Sequence, residues 1–212
     1  MASGKSNVIV WLGVFFLFQA NYASAQTCAT LQGASPAALV LYLDGVKDRR
    51  QDAPCVSFAI QKIGEQKYEP AIPTLTKFLG FRWPLGVNQK QRRFVIEHDG
   101  FTIYPAADAL EKIGEDSLPA VLDAMEAKPA SREEIEVAVS VWMTIHKNDG
   151  PMGVTLLRQE AAKSADRMAR SRLEFAAFRA ATGWCTESER PQCEAAAQTR
   201  YPVSRTADAA VK

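Results

Sequence analysis

The residues with the most chemical potential are few. His98 lies between Glu97 and Asp99, an acid-base-acid run that suggests general acid-base catalysis. Neighbouring residues of an extended segment point to opposite sides, so contiguity alone builds no catalytic pair, and a loop histidine is the plainer expectation. The other histidine, His146, follows Ile145 at an expected helix end, where a helix dipole accounts for it. There is no glycine-rich phosphate loop, nucleophile elbow or zinc-protease helix.

Four cysteines, Cys28, Cys55, Cys185 and Cys193, form the second set. They lack the paired short spacing of a zinc site, and no metal or other cofactor is expected. Three disulfide pairings are open. Cys28 with Cys55 and Cys185 with Cys193 is favoured, because each bond then staples one end of the chain.

The third set is the segment 80–103, which runs Gly-Phe-Arg-Trp-Pro-Leu-Gly from Gly80 and then carries Lys90, Arg92 and Arg93 before His98 and Phe101. Phe81, Arg82, Trp83, Arg92, Arg93, His98 and Phe101 are the candidate binding residues, since Trp and Arg dominate interface hot spots. In the competing reading, the aromatics tuck inward and the charges solvate a loop.

These sets must be held by helices. The chain has 212 residues with 33 alanines, against 12 glycines and 11 prolines, and alanine is the strongest helix former. Val56, Ala59, Ile60 and Ile63 form an i, i+3, i+4, i+7 stripe, followed by Gly64 as an expected stop. Ala106, Ala109, Leu110 and Ile113 repeat it before Gly114, and Ala138, Val141, Trp142 and Ile145 repeat it again. Each is followed by a turn and a proline, Pro73, Pro119 and Pro151, which open second helices with stripes of their own: Ile72, Leu75, Phe78 and Leu79; Leu118, Val121, Leu122 and Met125; Val154, Leu157 and Ala161. Terminal helices are expected around Leu39, Tyr42, Leu43 and Val46, and around Leu173, Ala176, Ala177 and Ala180. Ser131 with Glu134 has capping-box spacing. Glu111, Lys112, Glu115 and Asp116 fall on the polar side as solvated charges. The arginines 167, 170, 172 and 179, interleaved with Glu160, Asp166 and Glu174, read as a salt-bridged surface.

The stretch Tyr104-Pro-Ala-Ala-Asp-Ala-Leu-Glu-Lys-Ile-Gly-Glu-Asp-Ser-Leu-Pro-Ala-Val-Leu122 resembles a HEAT repeat, in particular the short HEAT-like type also found in phycobiliprotein lyases. Ser57 to Leu79 resembles it moderately and Glu133 to Ala165 weakly. The resemblance implies an all-α fold, a short α-solenoid of antiparallel helix pairs, and commonly a concave surface that binds proteins or peptides. It implies no chemistry, because such repeats are packing units.

Residues 1–25 read as a secretory signal peptide: Lys5, an apolar stretch from Val8 to Phe18, and the small-residue site Ala23-Ser24-Ala25. Eleven apolar residues fall short of the roughly 20 needed to span a bilayer. Removing them takes away one lysine and no acid, leaving a formally neutral remainder. Residues 26–200 then form the repeat domain and 201–212 a mobile tail. With a net charge of +1 and pI ≈ 7.6, the chain lacks the basic excess of a nucleic-acid binder. The expectation is a secreted or periplasmic, non-catalytic module that binds a protein or peptide partner through a concave helical face and the insertion. The alternatives are an exported enzyme or accessory subunit using His98 and nearby acids, and a small-ligand envelope binder.

Overall fold

Helix starts are written in proline and small polar residues. Ser35 Oγ accepts from the Ala38 N–H at 3.3 Å and Pro36 opens α1 (Pro36–Gly45). Proline stands in the first turn of α2 (Ala53–Glu65), α3 (Ile72–Thr76), α4 (Pro105–Ile113) and α5 (Leu118–Glu126), where its missing N–H leaves no helical bond unmade. The capping box closes as the spacing predicts: the Glu134 N–H donates to Ser131 Oγ at 3.1 Å and the Ser131 N–H to Glu134 Oε2 at 2.7 Å, starting α6 (Arg132–Ile145). Asp149 and Asp166 cap α7 (Gly150–Lys163) and α8 (Arg167–Thr182). Last comes α9 (Arg190–Arg200). The computed structural model describes residues 28–83, 103–127, 131–147, 149–183, 185 and 188–202, and within these the chain is all-helical, with no strand. The expected signal segment and residues 203–212 lie outside the described residues.

Gly114, at φ +91°, ends α4 as expected, but Gly64 ends nothing. Helix α2 continues through it, and the positive φ that closes the turn belongs to Lys67. Gly64 is used for closeness instead. A Cβ there would lie 2.7 Å from Ala109 Cα, so α2 and α4 approach nearly backbone to backbone.

The apolar stripes bury as their periodicity predicts. Val56, Ala59, Ile60, Ile63, Ala106, Ala109, Leu110, Ala138 and Val141 are all fully buried, while Ile113 and Ile145 at the helix ends are half-buried. Each large aliphatic side chain so placed contributes roughly 1.5–3 kcal/mol. Helix α2 packs on α4, α4 on α6 and α6 on α8; α1 touches α3, and α3 touches α5. The two series are joined by α1 on α2, α3 on α4, α5 on α6 and α7 on α8. Register follows from side-chain pairs. Tyr104, just before α4, meets Glu133 at the start of α6, and Glu111 meets Thr144 where both helices end, so α4 and α6 run parallel. Arg132 lies 5.3 Å above the Phe175 ring and Arg179 Nε 3.1 Å from Glu136, so α6 and α8 run parallel too.

Both favoured disulfides are present. Cys28–Cys55 ties the short 3-10 turn at Ala29–Leu31 to the start of α2, and Cys185–Cys193 ties the end of α8 to α9. None of the four cysteines is free. The bonds fit an oxidising compartment. No helix among the described residues is long and apolar enough to cross a membrane.

Candidate functional site

The two ends of the insertion meet on the first turn of α6. The Trp83 N–H donates to the Ile103 carbonyl at 3.0 Å, so the residues flanking 84–102 are hydrogen-bonded neighbours. Next to this junction the Tyr104 hydroxyl donates to Glu133 Oε1 at 2.7 Å, and Arg82 Nε lies 3.5 Å from the same oxygen. The Arg82 guanidinium also stands 5.9 Å from the centre of the Tyr104 ring. One carboxylate thus takes a partner from each side of the junction. Glu133 can do so because the capping box fixes the turn that carries it, and a carboxylate at a helix start is favoured by the dipole.

Sequence reasoning grouped Phe81, Arg82 and Trp83 as contact residues, and their surroundings divide them. Phe81 is buried, edge-on to Phe78 at 6.1 Å, while Phe78 lies under the Arg49 guanidinium at 4.2 Å. It is an anchor rather than a surface. Trp83 is half-buried against the core, and Arg82 serves the Glu133 junction. Gly80 leaves room for Glu134: a Cβ there would come within 3.0 Å of Glu134 Cγ. Arg92, Arg93, His98 and Phe101, with Glu97 and Asp99, lie outside the described residues. No cluster of three or more His, Cys, Asp or Glu side chains able to hold a metal occurs among the described residues.

Two sequence readings are corrected. Glu111 is not a solvated charge. Its carboxyl lies largely buried between α4 and α6; burial first, and then the Asp108 charge, raise its pKa from 4.5 to about 8, against the opposing effects of a Thr144 hydrogen bond and Lys112. Its Oε1 is buried and has no hydrogen-bond partner among the described residues. The arginines of α8 are not all surface groups either. Arg172 is only 3% exposed and donates to the Glu126 carbonyl at the end of α5. Arg179 is also mostly buried, beside Glu136, and burial lowers its pKa. Both lie on the side of α8 that faces α5 and α6, which composition alone does not reveal.

His146 caps the end of α6 with its ring 4.7 Å from that of Trp142, whose Nε1 donates to the Gly153 carbonyl at 3.3 Å. This is a packing position. No family model, curated protein or solved structure matches the chain.

Proposed function

We propose that this protein is an exported, non-catalytic scaffold that holds a protein or peptide partner, using a short HEAT-like α-solenoid to present the 80–103 insertion. The observation that carries the reading is the junction of Trp83 with Ile103 and of Arg82 and Tyr104 with Glu133. Fixing the two flanks of a segment to one helix turn lowers the entropy cost of its association with a partner. The parallel runs of α4 on α6 and α6 on α8, with α7 returning onto α8, agree with stacked helix pairs. The paired cysteines agree with an oxidising compartment outside the cytoplasm.

The test is affinity capture from the native envelope or secreted fraction. The full chain is compared with a variant in which residues 84–102 are replaced by a short glycine-serine linker, with circular dichroism as the control for helicity. A partner held by the full chain and lost from the linker variant supports the reading. Equal capture by both removes the insertion as the site.

A further inference from the structure

The α4–α6 contact carries a polar junction at each end. At the start is the Tyr104–Glu133 pair that anchors the insertion; at the finish is Glu111, a carboxyl packed against Thr144 with one buried oxygen unpartnered among the described residues. A charged carboxylate in that position is costly, because the lost hydration of its buried Oε1 is not replaced by a donor among the described residues. A neutral carboxyl costs much less. We propose that Glu111 is a pH-sensitive latch between α4 and α6: the protonated carboxyl lets the two helices close over it, and its ionisation drives that end of the contact open.

The surrounding groups compensate the charge only in part. Asp108, one turn earlier on α4, repels the ionised form, and Lys112, the nearest cation, is held by Asp108 at 2.7 Å. From α6 Glu111 meets the uncharged Thr144 hydroxyl. On α2, which also packs on α4, Lys62 and Glu65 pair with each other at 2.6 Å.

The direction of the effect follows from linkage. In the closed state Glu111 keeps its proton up to about pH 8, whereas once exposed it returns to its ordinary value of 4.5. Opening therefore releases a proton throughout that window. The opening equilibrium rises by up to about tenfold per pH unit between those limits and is flat outside them. The device acts on the fold and does not depend on what the insertion binds.

Native-state hydrogen exchange on the full chain, at pH 5, 6.5 and 8 and corrected for intrinsic exchange rates, tests it. Amides of residues 110–113 and 142–145 are expected to lose protection by about tenfold per unit, while those of α2 and the middle of α8 change little. Glu111→Gln keeps the shape, removes the ionisation and should abolish the dependence. Thr144→Val removes the hydrogen bond that favours the charged form and should move the upper limit of the window to higher pH. Protection at 110–113 independent of pH in the wild type, or a slope that survives in Glu111→Gln, overturns the latch.

Discussion

The close approach of α2 and α4 at Gly64 gives a discriminating test of how the helices stack. Gly64→Ala puts a methyl group on α2 where it would stand 2.7 Å from Ala109 Cα and 2.9 Å from Ala109 Cβ. Neither atom can swing aside. Relief requires α2 and α4 to separate by several tenths of an ångström, through contacts lined by fully buried Ile60, Ile63 and Leu110. Overpacking of this kind costs about 1–3 kcal/mol, against which replacing a helical glycine by alanine returns at most about 0.5–1 kcal/mol. The net is a loss of about 1 kcal/mol, or roughly 2–4 °C in a domain of this size. Gly153→Ala is the internal control. Its Cβ would meet Met143 Sδ at 2.5 Å and Cε at 3.2 Å, but these are the far end of a flexible thioether that can rotate away. There the helix-propensity gain wins, and the variant is neutral or up to about 0.5 kcal/mol more stable. Paired urea and thermal denaturation, followed by circular dichroism with the disulfides intact, read both signs. A Gly64→Ala protein as stable as Gly153→Ala would refute the close α2–α4 contact.

Other consequences follow from the same contacts. Removing the first disulfide (Cys28→Ser with Cys55→Ser), whose cysteines are 27 residues apart, should cost about 3.5 kcal/mol by loop-closure entropy, and removing the second, whose cysteines are 8 apart, about 2.5 kcal/mol; urea midpoints in the opposite order contradict the entropic account. Tyr104→Phe takes one donor from Glu133 and should cost about 1 kcal/mol while quickening proteolysis within 84–102, whereas unchanged cleavage shows that the junction does not restrain the insertion. Arg172→Met keeps most of the buried stem but leaves the Glu126 carbonyl without the guanidinium, for an expected loss of about 1–3 kcal/mol. It also removes the charge that holds the Glu126 pKa down, so that carboxyl should titrate at higher pH still by NMR.

Much of the helical framework was readable because it depends on local spacing. The stripe Val56, Ala59, Ile60 and Ile63 needs only a 3.6-residue period to define an inner face, and Ser131 with Glu134 needs only three residues to define a start. The cysteine pairing was readable for a similar reason, since each bond joins segments at one end of the chain. What was missed depends on a third element arriving from far along the sequence. Glu111 sits beside Lys112 in a stretch that looks polar, and only α6, more than twenty residues later, covers it. Arg172 looks like one of several surface arginines until α5 offers its last carbonyls. Gly64 has the position of a stop signal, and only the proximity of Ala109 shows why a side chain is excluded there. Of the candidate binding residues, Phe81 is buried, Arg82 lies against Glu133 and Trp83 is half-buried against the core. The positions of Arg92, Arg93, His98 and Phe101 within it lie outside the described residues.

The central claim, that a tethered insertion on a helical scaffold holds a partner, is tested most directly by capture with Trp83→Ala, Arg92→Ala and Arg93→Ala combined in one protein whose helicity and melting match the wild type. The account predicts that a partner retained by the wild-type chain from the native envelope or secreted fraction is lost from the triple variant. Retention of the same partner at the same level by both proteins would contradict it.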